Sequence, residues 1–213
     1  MGVSKRRTSK ATKRITRPTI NQLLKGRKLT YKPKGHVDRP RFKKVTTDGF
    51  TDVPKPYKKN GKWVLHVKRH DGWNKKDYRA KVDSMKQAGK AGKLKYVKNT
   101  KAKRTGAQGQ KRDLEERKAV AEATRIEDRG KPDSAQKWLD ERLRTLDAQE
   151  ADHDIELQID GKDELANLKM IDAATNHGMG GQLRNQILKA IDGGMKPGDL
   201  IEIKEVPGLL SNK

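Results

Sequence analysis

Apolar residues recur in regular patterns mainly after about residue 60. In residues 62–68 (KWVLHVK), Trp63, Leu65 and Val67 alternate with Val64 and His66, the period-two signature of a strand with one well-buried face. A helix is predicted directly after it. Asn74 suits an N-cap, Trp73 and Tyr78 are placed as a hydrophobic staple, and Tyr78, Val82 and Met85 line one face up to Gly89. Residues 93–98 (KLKYVK) predict a second strand. Two helices are expected next, over 114–128 and again after Asp133. In the second, Trp138, Leu139, Leu143 and Leu146 recur at helical spacing, and Asp133 with Gln136 resembles a capping box.

The C-terminal third reads as strand, turn, strand, helix. Residues 154–159 (DIELQI) alternate like a strand, Asp160–Gly161 and the residues after it are turn material, and 168–171 offer a second short strand. A stretch opening at Ala173 is expected to be interrupted by Gly178, Gly180 and Gly181 before it settles into a helix carrying Leu183, Ile187, Leu188 and Ile191. A last strand is predicted over 199–206. Residues 1–34 are rich in Lys, Arg and Thr with one apolar cluster at Ile20, Leu23 and Leu24, and read as a basic, mostly disordered arm with one helical turn. Gly and Pro spacing over 35–61 predicts loops and short strands, and 99–111 (NTKAKRTGAQGQK) has no apolar period and reads as a flexible linker. The expected class is therefore α+β, organised as the arm 1–34, a basic α/β segment 35–111 and a C-terminal unit 112–213.

Charge sharpens this division. The 213 residues carry 51 Lys and Arg against 28 Asp and Glu, a formal +23. Residues 1–112 hold 36 basic and 6 acidic side chains, whereas 113–213 hold 15 and 22, so the basic excess lies entirely in the first half. A field of that sign gathers polyanions, nucleic acid first and an anionic membrane surface second. Zero cysteines exclude disulfide scaffolds, thiolate zinc sites and cysteine nucleophiles. No apolar run reaches the roughly 18 to 20 residues of a spanning helix, the N-terminus lacks the apolar stretch of a signal peptide, and Arg6 stands where acylation of Gly2 needs Ser or Thr. His66 and His70, four apart, fall on a strand and the following turn, which does not place them together as zinc ligands. Trp63, Trp73 and Trp138 read as core anchors.

Candidate chemistry gathers in ADHDIELQIDGKDELANLKMIDAATNHGMGGQL, with Asp152–His153 entering the first strand, Asn167 beside the second and Asn176–His177 entering the helix. This segment resembles the ββα-metal (HNH, or His-Me finger) nuclease module, most closely that of bacterial effector toxin tails, which read approximately D-H-x-x-E-L-Q-x-G-G-x-D-x-x-x-N-L and then N-R-x-x-G-x-Q. The likeness is dense over 152–182 and faint over 62–98. It implies a ββα core at 152–191 on helical support, with His153 as the general base, Asn167 bracing the loop that holds His153, and Asp152 with Asn176 as ligands of a divalent cation. His177 stands where the family carries Arg and would join or replace Asn176, and Asp160 replaces the first Gly of the turn, which requires a turn that tolerates Asp. Oxygen ligands favour Mg²⁺ or Mn²⁺, and an added His177 imidazole would admit Zn²⁺ or Ni²⁺.

The resemblance further implies a monomeric, non-specific DNase toxin, made in a bacterial cytoplasm, secreted as an effector and active in the target cell, with RNA as the alternative substrate. An acidic immunity protein would be its partner in the producing cell. Two other readings stay open: a non-catalytic basic nucleic-acid-binding protein, which accounts for +23 but leaves Asp152, His153, Asn167 and Asn176 unexplained, and a site-specific HNH endonuclease of phage or mobile-element type.

Overall fold

The computed structural model describes residues 19–31, 53–98 and 105–207. In chain order these form α1 (Ile20–Leu23), β1 (Tyr57–Lys59), β2 (Lys62–Val67), α2 (Lys75–Lys90), α3 (Ala107–Asp128), α4 (Pro132–Asp147), β3 (Gln149–His153), β4 (Leu168–Asp172), α5 (Ala173–Asp192) and β5 (Leu200–Glu205), with short 3₁₀ turns at Leu157–Ile159 and Leu165–Asn167. The class is α+β, built on two small sheets. No helix among the described residues is long and apolar enough to cross a membrane.

The first sheet has the order β1-β2-β5. Its centre is β2, where Trp63, Leu65 and Val67 enter the main core and Val64 and His66 are buried as well. β5 returns parallel to β2, Lys62 opposite Leu200 and Val67 opposite Glu205. β1 pairs only with Lys62, Trp63 and Val64. Past that point two side chains of α5 take over the free edge of β2. Gln186 Oε1 accepts from His66 N at 3.0 Å, and Gln182 Oε1 accepts from Lys68 N at 2.8 Å. The two glutamines are four apart, so one helical face continues the ladder that β1 leaves unfinished. Segments 35–111 and 112–213, which differ so sharply in charge, thus share one sheet and one core.

α2 starts as its sequence directs. Asn74 Oδ1 accepts from Lys76 N and Asp77 N, and the Trp73 and Tyr78 rings lie 6.0 Å apart. The staple has a second function, because the Trp73 indole lies against Gly178 of α5. α5 runs unbroken from Ala173 to Asp192, so the expected interruption at its glycines does not occur. Asp172 caps it by accepting from Thr175 N at 2.8 Å, and Gly178 is the space that lets the indole in.

Four other expectations are corrected. Residues 93–98 form a single antiparallel bridge, Lys95 to Leu200, with Tyr96 N bonded to Asp199 O and Leu94 O accepting from Ile201 N, because the segment meets only the first two residues of β5. The region expected as linker is helical from Ala107, with Gly106 in a left-handed conformation before it, while 99–104 lie outside the described residues. The strand expected over 154–159 lies five residues upstream as β3. Its apolar alternation belongs to a tight turn that buries Leu157 and Ile159. The capping box at Asp133 and Gln136 is absent. Pro132 opens α4, and Gln136 instead accepts from Thr30 N at 2.9 Å.

That last contact belongs to a further correction. Residues 19–31 of the supposed arm are packed, with a capping box at Thr19 and Ile20, Leu24 and Leu29 buried against Ala119, Val120 and Ala123 of α3 and Ala135 and Leu139 of α4. Arg27 bonds Glu127 and Asp128 at the end of α3. The other residues of 1–34, and 35–52, lie outside the described residues.

The two α5 glycines predict opposite outcomes. A Cβ at Gly178 would lie 2.1 Å from the Trp73 ring, whereas one at Gly180 meets nothing within 4 Å. In urea denaturation Gly178→Ala should lose about 1–3 kcal/mol, and Gly180→Ala should gain about 0.5–1 kcal/mol from helix propensity. Similar changes in the two would contradict the packing of the indole on α5.

Candidate functional site

The second sheet is the β3–β4 hairpin, antiparallel, with Gln149 opposite Asp172 and His153 opposite Leu168. α5 begins at the residue after β4. Asp152 and His153 close β3, and the connection from 154 to 167 turns back over them. Its path is fixed by backbone demands. Asp160 takes the left-handed conformation at φ 73°, which Asp tolerates better than most residues. Gly161 follows, and a Cβ there would fall 1.8 Å from the Ile155 carbonyl oxygen.

Asn167 spans this loop. Its Oδ1 accepts from Ile155 N at 2.9 Å, and its Nδ2 donates to Ile155 O at 2.8 Å and to Lys162 O at 2.9 Å. Its own carbonyl accepts from Asp154 N at 2.8 Å. Both ends of the loop are therefore tied to one residue.

His153 is buried, and its Nε2 lies 2.9 Å from Asp163 Oδ1, with each side chain only 4% exposed. When Nε2 carries the proton of this bond, Nδ1 keeps its lone pair. Burial works to raise the Asp163 carboxyl, but the Thr105 N–H, the His153 ring and the Thr105 hydroxyl outweigh it and bring the group down to about 2. Thr105 also donates through Oγ1 to Asp163 O at 2.8 Å, just ahead of α3. Gln108, in the first turn of α3, donates to Ala151 O at 2.9 Å. These contacts use the residues that the sequence suggested were linker.

Asp152 is buried at 4% exposure, with Oδ1 accepting from His153 N at 2.9 Å. Its Oδ2 accepts from Lys81 Nζ, and the same ammonium lies 2.6 Å from Glu156 Oε1. Lys81 comes from α2, outside the hairpin, and its residue is 2% exposed. Burial opposes its charge, yet Glu156 and Asp152 hold the ammonium above its ordinary value. Burial raises the Asp152 carboxyl; Lys81 pulls against that rise and Glu156 adds to it. Two carboxylates facing one ammonium leave an excess of one negative charge in a nearly dry pocket, which favours any further positive charge.

Ligand atoms of Asp152, His153 and Glu156 all lie within 4.8 Å of one another. Opposite ligands of an ion bound at about 2.1 Å stand roughly 4.2 Å apart, so small side-chain shifts let the two carboxylates, Asp152 and Glu156, share one ion with the His153 ring next to it. The donor set thus fits a divalent cation in both reach and charge. Asn176 and His177, at the start of α5, gather on a different carboxylate. Asn176 Nδ2 donates to Glu150 Oε2 at 2.9 Å, and His177 Nε2 lies 3.1 Å from the same atom. Glu150 is two residues before Asp152, on the same face of β3.

Lys81, Glu150 and Asp163 were not singled out from the sequence, and Glu156 was matched without a role. Lys81 had a signal. It stands at helical spacing from Tyr78 and Met85, on the apolar face of α2, where a lysine must find a buried partner. Asp163 had one as well, since it stands eleven positions after Asp152, where the quoted motif has its second D. Comparisons with protein-family models, with curated proteins and with solved structures found no match.

Two measurements probe this geometry. Asn167→Ala removes three side-chain hydrogen bonds at about 1 kcal/mol each, so urea denaturation should show a loss of about 2–3 kcal/mol. Asp163 is held at about 2 when folded, below the roughly 3.9 of a free Asp, so its stabilisation is present above that value and disappears as pH falls toward the folded one. Wild type should therefore lose more stability than Asp163→Asn between about pH 5 and pH 2.5. Parallel curves for the two would remove Asp163 from the account.

Proposed function

We propose that the chain is a metal-dependent endonuclease of the ββα-metal type, hydrolysing phosphodiester bonds of DNA with little sequence preference. One observation carries the reading. An antiparallel hairpin runs directly into a helix, with Asp152 and His153 at the end of its first strand and Asn167 tying down the loop between the strands. The order of metal ligand, base and brace supports the reading that the resemblance implies, with Asp152 and His153 ending β3 where the sequence had them entering a strand.

The residues fit the chemistry in named roles. His153 Nδ1 takes the proton from the attacking water, and Asp163, across Nε2, sets the tautomer and stabilises the imidazolium that results. Asn167 keeps the loop closed over the imidazole. Asp152 and Glu156 would hold the cation, while Asn176 and His177 meet Glu150. A bound divalent ion supplies charge stabilisation at phosphorus and at the leaving oxygen. Mg²⁺ or Mn²⁺ suits a site of carboxylate oxygens, and Zn²⁺ or Ni²⁺ would require imidazole in the set.

The excess of basic residues before residue 113 supports backbone-dominated binding of DNA, or of RNA. An effector that cuts nucleic acid needs a neutralising partner in the cell that makes it, and an acidic immunity protein matches this surface in charge.

Supercoiled plasmid is the test. Wild type with Mg²⁺ or Mn²⁺ should degrade it to a smear, chelation should stop the reaction, and His153→Ala should slow it by about 10²–10⁴-fold. Undiminished cleavage by His153→Ala would sink the assignment of the base. A retarded but uncut band under every metal would favour the non-catalytic binding protein, and discrete fragments a site-specific enzyme.

A further inference from the structure

We infer that Lys81 is a built-in occupant of the cation position between Asp152 and Glu156, and that a divalent ion binds there only by displacing its ammonium. The inference rests on the metal-dependent reading above and adds to it a residue from outside the hairpin.

Lys81 Nζ contacts both carboxylates at once, on Asp152 Oδ2 and on Glu156 Oε1. These are two of the three groups whose ligand atoms lie within 4.8 Å of one another. A cluster of that width has room for a single cation among its oxygens. With Lys81 in place the two carboxylates and the ammonium sum to one negative charge; with a divalent ion in its stead they sum to zero. An ammonium and a divalent ion side by side would repel each other strongly in a pocket where Lys81 and Asp152 are 2% and 4% exposed. Charge balance and like-charge repulsion therefore both point to exchange over coexistence. Lysine suits the exchange, because its four-carbon stem lets the charged end swing away while the helix stays in place.

The side chain would then have two effects. It holds Asp152 and Glu156 in register before metal arrives, and it weakens metal binding by the cost of its own removal. Asp152 also accepts from the backbone N–H of His153, so the register that Lys81 enforces extends to the residue proposed as the base.

The test follows Mn²⁺ binding to the full chain by calorimetry, with no nucleic acid present. Lys81→Met keeps the stem and removes the charge, and should bind Mn²⁺ at least tenfold more tightly than wild type. A folded Lys81→Met variant that binds Mn²⁺ equally or more weakly overturns the inference. Unaltered protein provides a second measurement, which decides alone if the variant does not fold. Acetylation by an amine-reactive ester, mapped by mass spectrometry, should leave Lys81 protected without metal and modify it at saturating Mn²⁺; protection that persists at saturation also overturns the inference. If neither protein binds Mn²⁺, the metal-dependent reading fails together with it. If Mn²⁺ binds but Lys81 stays protected, only the displacement fails. If Lys81→Met gains affinity while plasmid remains uncut by wild type, the displacement stands and the nuclease reading falls.

Discussion

Lys81, Asp152 and Glu156 bring three formal charges together, the first two buried from water and Glu156 at the half-buried edge. Each charge alone would be costly to bury, and removing one partner of such a pair typically costs about 3–5 kcal/mol because the other is left uncompensated. The cluster therefore constrains the fold around it. α2 must present its inner face to the hairpin at one rotation, since a turn of about 100° about its axis would replace Lys81 with an apolar neighbour and strand two carboxylates. The turn after β3 must bring Glu156 back toward the strand end, which requires the left-handed Asp160 and the Cβ-free Gly161. The backbone that looks irregular over 154–161 is the one that closes the charge cluster.

The rest of the architecture holds α2 and the hairpin in that relation. Trp73 enters the gap over Gly178, Asn74 N donates to Thr175 Oγ1 at 2.8 Å, and Asp77 Oδ2 accepts from Asp172 N at 2.8 Å. The N-terminal turns of α2 and α5 are thus joined by packing and by two hydrogen bonds that cross about a hundred residues of sequence. Further along α5, Gln182 and Gln186 join the helix to β2, and β5 comes back to complete the sheet. On the opposite side Thr105 and Gln108 link the start of α3 to Asp163 and Ala151. α3 is thus anchored at Ala151, beside Asp152, and at the Asp163 that bonds His153.

Local patterning made part of this legible. β2, α2 with its cap and staple, β4 and β5 are visible because their apolar residues repeat at two or 3.6 and because turn residues bound them. The first strand of the hairpin was misplaced by five residues. Leu157 and Ile159 are buried by a turn instead of a strand, and alternation cannot distinguish the two when the run is six residues long. The α5 glycines looked like breaks because intrinsic propensity counts against them. The helix persists because Gly178 receives an indole from a residue 105 positions earlier, and a contact of that kind is invisible to any local window. At the site, Asp152, His153 and Asn167 were nameable from one local motif, whereas Lys81 showed only that it needs a buried partner, and neither that partner nor Thr105, more than forty positions from Asp152, could be named from the sequence.

Charge asymmetry takes on a different meaning once the elements are in place. The division between a basic first half and an acidic second half is a division of sequence only, since β2 and α2 of the basic half share a core with α5 and β5 of the acidic half. α2 makes the connection most directly. Lys76, Arg79 and Lys90 are exposed on it, while Lys81 is turned inward to the carboxylates of the hairpin. One helix thus offers positive charge in two ways, to solvent and to its own protein. The outward set can meet a polyanion at long range and is weakened by salt. The inward lysine is shielded from both, and answers only to what can enter between Asp152 and Glu156. On the proposed reading, attraction of the nucleic acid and assembly of the site that cuts it are carried by opposite faces of the same helix. A change at Lys81 should therefore act on metal and leave backbone attraction intact, whereas changes at Lys76 or Arg79 should act on backbone attraction and its salt dependence and leave the metal alone.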